Sequence, residues 1–235
     1  MLQTSGTAHK ITEQFPDTHS AELLLRWARR RFGDQLAMSS SFGIQAAVTL
    51  HLATRIIPEI NVVWVDTGYL PPETYEYATT LTRLLDLNIH RYKSSVSPSE
   101  MESQYGRLWE SENTEDLDLY DKIRKVEPMK RALKELDVKG WISGLRSQQT
   151  DFRKGLATIR KKGDRFCIYP ILNWTTRDTF YYMQQHGLPQ HPLFYKGYAT
   201  VGDAHSSRPM TAGDTDERDT RFRGRKQECG LHTMD

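Results

Sequence analysis

The sequence predicts an α/β fold: a doubly wound, mostly parallel sheet covered by helices, with a glycine-punctuated tail beyond it. Two observations lead there. Strand-like and helix-like patterns alternate from residue 35 to residue 92 as β-α-β-α-β, the order that produces parallel strands joined by crossover helices. One of those strands, Ile60-Asn61-Val62-Val63-Trp64-Val65, is an almost unbroken run of large and β-branched side chains, as in a strand buried on both faces. With 235 residues, 37% of them hydrophobic, the chain can bury one sizeable core. Ligands of such sheets bind at the carboxyl ends of the strands, where the strand order reverses.

Each element has its own justification. Residues 1–19 are polar without periodicity and read as a flexible N-terminal arm. Glu22 to Arg31 is helical, with Leu23, Leu24, Trp27 and Ala28 on one face and arginines on the other. Gln35 to Ser39 is a strand that enters Ser40-Ser41-Phe42-Gly43, followed by a helix from Ile44 to about Arg55. The strand at 60–65 ends in Asp66-Thr67-Gly68, Pro71 and Pro72 open a helix running to Leu85, and Asn88 to Tyr92 is again a strand. Ser97 to Trp109 reads as a helix, 110–121 as an acidic loop, and Pro128 to Leu136 as a helix with Met129, Ala132, Leu133 and Leu136 on one stripe. Lys139 to Gly144 and Phe166 to Tyr169 are strands, and Thr175 to Gln185 is a helix with a polar start. From His186 onward glycine, proline and charge dominate, so the expected organisation is an α/β domain over 20–202 and a tail over 203–235 that closes on the sheet.

Composition narrows the function classes. A net charge of +2, from 32 basic and 30 acidic residues, is no footprint for coating nucleic acid, so any anion site is local. Two cysteines, Cys167 and Cys229, do not make a disulfide scaffold, and no signal-peptide or membrane-span pattern stands out. The expectation is a soluble, cytoplasmic protein. The eight histidines show no metal-site spacing and there is no Cys-x-x-Cys, so neither zinc nor an iron–sulfur cluster is expected. His205 and His232 are expected to be exposed. Cys167, between Phe166 and Ile168, reads as an inert core thiol.

Three places could carry chemistry. Ser39-Ser40-Ser41-Phe42-Gly43 stands where a strand hands over to a helix, so hydroxyls and backbone N–H groups can converge on an anion near the helix N-terminus. It lacks the Gly-Lys-Ser/Thr ending of a Walker A loop, and a serine-rich capped turn fits the same letters. Lys125, Arg146 and Arg153 lie in cation-rich stretches suited to phosphate, although a charge run is also how a solvated face is written. The third place is the end of the chain, where Cys229 follows Arg221, Arg223, Arg225 and Lys226. Cations favour the thiolate and neutralise an approaching anion; an incidental surface thiol fits that segment equally well.

Taken together, SSSFGIQ (39–45), VDTGYLPPET (65–74), KIRKVEP (122–128), GLR (144–146) and KQECGLH (226–232) resemble the phosphoadenylyl-sulfate (PAPS) reductases of assimilatory sulfate reduction, over about residues 35–232. The resemblance implies an adenine-nucleotide α-hydrolase-like fold of the PP-loop type with a mobile C-terminal catalytic tail. It implies Cys229 as nucleophile, a cradle of Ser39, Ser40, Ser41, Phe42 and Gly43, and nucleotide contacts from Asp66, Thr67 and Gly68. Cations facing sulfate or phosphate would be Lys125, Arg146 and Arg153, with Arg223, Lys226 and His232 on the tail. It further implies PAPS as substrate, adenosine 3′,5′-bisphosphate as product, thioredoxin or the related dithiol protein glutaredoxin as reductant, and a homodimer.

One departure is informative. Related adenylyl-sulfate (APS) reductases with a [4Fe–4S] cluster carry Cys-Cys before the KVEP segment and Cys-x-x-Cys downstream, where this chain has Tyr120-Asp121 and Asp203-Ala204-His205-Ser206. The resemblance is therefore to the cluster-free branch, some members of which accept APS. Two rivals stay open on the residues alone: an ATP-cleaving relative, which would usually show an SGG-x-DS cradle, and a nucleotide-sensing module in which Cys229 is dispensable.

Overall fold

Alternation within each strand decides how the sheet is wrapped. In a computed structural model, which describes residues 20–226, 228, 230 and 231 and only the backbone of Arg223, six strands form one sheet: β1 (Leu36–Ser39), β2 (Asn61–Asp66), β3 (Asn88–Lys93), β4 (Gly140–Ile142), β5 (Ile159–Lys162) and β6 (Arg165–Ile168). Leu36, Met38, Val62, Trp64, Ile142, Phe166 and Ile168 point to one face, while Ala37, Val63, Trp141 and Cys167 point to the other. Both sets are buried, which is why these strands read as near-continuous apolar runs.

The first face is covered by α1 (Ala21–Phe32), α2 (Ala46–Ile56), α3 (Pro72–Leu85) and, past two short helices α4 (Pro98–Tyr105) and α5 (Thr114–Asp121), is answered on the second face by α6 (Glu127–Glu135) through Met129, Ala132 and Leu133. A one-turn α7 (Asp151–Lys154) follows β4, and α8 (Thr176–Gln185) returns to the first face through Met183. The buried stripe of α1 is Leu24, Leu25, Ala28 and Phe32, one position round from the expected one, and Leu23 is exposed.

Strand order is β3-β2-β1-β4-β6-β5, parallel throughout except for the β5–β6 hairpin. The chain builds outward from β1 through β2 to β3, then crosses to the other side of β1 to lay down β4. The order therefore reverses between β1 and β4, and their carboxyl ends open the crevice expected of a doubly wound sheet.

Three stretches differ from expectation. The segment expected as a loop over 110–121 is helical from Thr114: Asn113 caps it by accepting the Glu115 N–H at 3.0 Å, acidic residues in the first turn complement the helix dipole, and Leu117 and Tyr120 are buried. The helix expected from Ser97 to Trp109 stops at Gly106, whose φ of +70° turns the chain into a 3₁₀ turn at Leu108–Glu110. β5 carries Ile159-Arg160-Lys161-Lys162, too charged for an apolar alternation because it is an edge strand.

Between α5 and α6 the helix widens into a π turn over Lys122–Val126. After α8 the chain runs through short 3₁₀ turns, and Asp203, Ser206, Thr220, Arg221 and Phe222 are buried. An isolated antiparallel bridge joins Ser207 to Arg221. Among the described residues no helix is long and apolar enough to cross a membrane.

Candidate active site

A cleft of about 240 Å³ opens at the carboxyl ends of β1 and β4. Ser39, Ser40, Ser41 and Gly43 line its first wall. The turn that presents them is held by local bonds: the Phe42 N–H donates to Ser40 Oγ at 3.1 Å, the Ser40 N–H to the Val63 carbonyl at 3.1 Å, and the Trp141 indole N–H to Ser39 Oγ at 2.8 Å. Phe42 departs from its expected role. Its φ of +51° swings the side chain away from the cleft into full burial, its ring 5.0 Å from that of Trp64, so it anchors the cradle from behind.

The Asp66-Thr67-Gly68 turn splits in the same way. Thr67 lines the cleft and its hydroxyl donates to Asp203. Asp66 does not line it: its carboxylate accepts from the Gly68 N–H at 2.9 Å, the Tyr75 hydroxyl at 2.7 Å and Arg91 Nε at 2.9 Å. Burial pushes that carboxyl up, but these donors outweigh it and hold it below the usual range. It ties β2 to β3 and α3. Gly68, at φ +79°, lies under the Arg124 guanidinium, where a Cβ would stand 2.9 Å from Nη2.

The second wall is charged. The π turn buries two consecutive side chains, of which Lys125 alone lines the cleft: Arg124, fully buried, donates through Nε to the Thr67 carbonyl at 2.8 Å and through Nη1 to the Val96 carbonyl at 2.6 Å. Lys125 lies between Asp121 at 2.9 Å and Asp203 at 3.0 Å. Burial pushes the Asp203 carboxyl up, and Lys125, His205 and Thr67 overcome it, holding the group far below the ordinary carboxylate range. Asp203 thus fastens the post-α8 segment to the sheet.

Arg146 follows β4, is buried, and reaches Gln45 Oε1 at 2.5 Å and Thr176 Oγ1 at 3.1 Å while lining the cleft. Gly144 beside it leaves room for Thr49, whose hydroxyl would meet a Cβ at 2.5 Å. Lys226 lines the cleft and pairs with Asp118 and Asp121, each at 2.6 Å. Arg153 also lines the cleft, but its Nε and Nη2 each meet the Glu228 carboxylate at 2.8 Å. Its expected phosphate-facing role is therefore filled by a carboxylate of the chain itself.

Cys229 and His232 lie outside the described residues, as do 1–19, and of Arg223 only the backbone is described. His205 is not exposed as expected. It stacks on Trp109 with centroids 4.3 Å apart, its Nε2 is 3.0 Å from the Tyr120 hydroxyl, and burial lowers its pKa to about 4.

Arg218 was missed as a candidate, and Arg221 was named only among the tail cations. Arg218 and Arg221 line the cleft from 3₁₀ turns, and Gly202 has no Cβ because the Arg221 guanidinium occupies that space. Their signal lay in the basic run that ends at Lys226, read as a tail property.

Comparison with known proteins identifies the family. The sequence profile of the phosphoadenosine phosphosulfate reductase domain matches residues 35–209. A phosphoadenosine 5′-phosphosulfate reductase of Synechococcus sp. is 56% identical over 223 residues, covering 95% of this chain and 96% of that one. Another, of Synechocystis sp., is 54% identical over 213 residues, covering 91% and 86%. Among solved structures, the PAPS reductase of Candida auris in a phosphate complex superposes with a TM-score of 0.69 at 29% identity, over 80% of this chain and 90% of that one. The Candida glabrata FMN adenylyltransferase, at a TM-score of 0.59 and 11% identity over 95% and 79%, shares the fold alone.

Proposed function

This chain belongs to the phosphoadenosine phosphosulfate reductase family, and we propose that it reduces PAPS to sulfite and adenosine 3′,5′-bisphosphate through an S-sulfonate on Cys229, with thioredoxin as reductant. The observation that carries the reading is the cleft at the β1–β4 switch point. It joins a hydroxyl-lined cradle to cations from three elements, and Glu228 and Leu231, on either side of Cys229 in the chain, are among its lining residues.

The Cys229 thiolate attacks the sulfonyl sulfur; an S–S bond forms, the bond from that sulfur to the bridging oxygen breaks, and the nucleotide leaves as its bisphosphate. Two anions must meet for this, and Lys125, Arg146, Arg218 and Arg221 supply the compensating field in a partly desolvated cleft. A thioredoxin thiolate then attacks the Cys229 sulfur and releases sulfite, and its second thiol resolves the mixed disulfide, so the dithiol supplies both electrons. Cys167 is no resolving thiol: it is buried on β6, facing α6.

The reading is cluster-free. The positions where cluster-bearing relatives carry cysteines hold Tyr120, Asp121, Asp203 and Ser206, and Lys125 bridges two of them, Asp121 and Asp203. A homodimer and a preference for PAPS over APS complete it. Losing one charge-assisted contact to the 3′-phosphate costs about 1.5–3 kcal/mol, roughly ten- to hundredfold in kcat/KM.

The test is sulfite release from PAPS with thioredoxin, run beside APS and beside pyrophosphate release from ATP, on the native protein and on Cys229→Ser. Thioredoxin-dependent sulfite that vanishes in the variant is the expected result. Sulfite at the native rate from Cys229→Ser, or pyrophosphate from ATP, would overturn it.

A further inference from the structure

Glu228 directly precedes Cys229, and its carboxylate enters a built receptor. Arg153 meets it with two parallel bonds, Nε to Oε1 and Nη2 to Oε2, both 2.8 Å, and the Thr150 hydroxyl donates to Oε1 at 2.5 Å. The receptor is itself braced. Thr150 caps α7 by accepting the Arg153 N–H at 3.3 Å, and Arg153 Nη1 donates to Gln149. The side chains of Arg153 and Glu228 are only 5% and 14% exposed. A two-pronged arrangement of this kind fixes the plane and direction of the carboxylate, which a point charge such as lysine would not.

The neighbouring tail residues are held as well. Lys226 is paired to the end of α5. A Cβ on Gly230 would stand 3.4 Å from Val126 and 3.7 Å from Asp121, so the backbone there runs close against the π turn, and Leu231 packs into the α6 cluster.

We infer that Glu228 and Arg153 form a positioning pair: Arg153 receives the catalytic tail, not the phosphosulfate, and Glu228, anchored there, governs the reactivity of the residue that follows it in the chain, Cys229. The inference rests on the reading of Cys229 as nucleophile. A substrate oxygen could take the guanidinium only by expelling a buried carboxylate that would then lose its two-pronged cationic partner and keep only the Thr150 hydroxyl, so the pair and the substrate occupy different cations.

The experiment measures S-sulfonate formation on Cys229 in a single turnover with PAPS and no thioredoxin, followed by intact mass. Steady-state kinetics and adenosine 3′,5′-bisphosphate affinity are measured beside it. Glu228→Gln keeps the size of the side chain and removes its charge. Adduct formation and kcat should fall on the order of 10- to 100-fold, with KM and product affinity within about twofold. Arg153→Gln should behave alike, and the double variant should be no worse than either single one, because both remove one unit. Glu228→Asp, which keeps the charge but shortens the reach, should lose adduct rate while its melting temperature stays at the wild-type value, so a folding defect cannot mimic the result.

Adduct formation by Glu228→Gln at the wild-type rate would overturn the pair's role. So would tenfold weaker product binding in Arg153→Gln without the same change in Glu228→Gln, because Arg153 would then be a substrate ligand. Absence of any adduct on the wild-type protein would instead overturn the reading of Cys229, and the pair's role with it.

Discussion

The β1–α2 turn and the arm from Tyr198 to Leu231 face the same cleft and are held in place by different forces. The turn rests on backbone hydrogen bonds and on Phe42 packed against Trp64, with no ion pair among its four cradle residues Ser39, Ser40, Ser41 and Gly43 in the described structure. The arm has no regular element longer than four or five residues and is fastened mainly by charge: Lys125–Asp203, Arg208–Asp214, Lys226–Asp121 and Arg153–Glu228. A surface organised by packing is ready before a ligand arrives and indifferent to protonation. One organised by ion pairs keeps its shape only while the right groups stay charged, and polyanions bear on it directly. On the proposed reading, the cradle and the nucleophile therefore belong to separately built parts of one site.

Removing the arm's chemistry while leaving the turn alone separates them most sharply. Cys229→Ser should lower sulfite formation by on the order of 10³-fold or more, with affinity for adenosine 3′,5′-bisphosphate within about threefold of wild type. Sulfite release and titration calorimetry on the same preparation check both halves. A large loss of affinity would mean that the arm, not the turn, carries the binding.

Stability distinguishes the two fastenings next. Lys125→Met strands Asp203 without its main counter-charge and should cost about 3–5 kcal/mol. Phe42→Ala should cost a similar amount, about 3–5 kcal/mol, by emptying a fully buried site. Their acid behaviour should differ. The folded Asp203 carboxyl lies below its unfolded value, so its contribution is complete above roughly pH 4 and is lost as pH falls toward the folded value. The deficit of Lys125→Met should shrink below roughly pH 4, because burial then favours a protonated Asp203, while the deficit of Phe42→Ala stays constant. Urea midpoints from pH 3 to pH 7 read both; parallel curves would refute the distinction.

His191 carries the same contrast to milder pH. It is fully buried and accepts the Leu193 N–H on Nδ1 at 3.1 Å, so the neutral ring carries its proton on Nε2, which faces Thr74 Oγ1 at 3.2 Å. Burial lowers its pKa from 6.5 to about 4. A histidine depressed in this way stabilises fully above the unfolded value and loses that contribution as pH falls from about 6.5 toward 4, a change of roughly 3 kcal/mol. His205, lowered to about 4 by its own burial, titrates in the same window. His191→Asn should flatten the pH dependence of stability there by one proton. An unchanged slope would show that the ring does not hold its neutral form.

Most of the turn was legible in the sequence and most of the arm was not. Strands β1, β2, β3, β4 and β6 fall within two residues of their expected bounds; β1, β2, β4 and β6 are largely buried and read as apolar runs, while the edge strand β3 was placed by its position in the alternation. The cradle's position followed from that alternation, but the inward turn of Phe42 did not, since a φ of +51° at a phenylalanine is a tertiary outcome. The bonds that turn Asp66 away from the cleft were not legible because its partner Arg91 lies on another strand, 25 positions away. The arm's fastenings are all of that kind: Arg153 to Glu228 spans 75 positions, and no local pattern connects them. Ion pairs leave no periodicity, so the basic run at 218–226 announced cations without revealing which of them the protein uses on itself.

Cys167 gives the smallest expected effect and checks the division from the packed side. It lies on β6, opposite Trp141 of β4, among the α6-facing residues, and burial raises its thiol pKa above the ordinary value. At neutral pH it is therefore a protonated, inaccessible thiol, neither a nucleophile nor a resolving partner. Cys167→Ala removes one sulfur from a strand that the neighbouring side chains still hold, so stability should fall by about 1 kcal/mol. Sulfite turnover and the formation of the Cys229 adduct should stay at wild-type rates. Loss of turnover in a Cys167→Ala protein that melts normally would place a second thiol in the chemistry, and the sheet could no longer be regarded as a passive support for the arm.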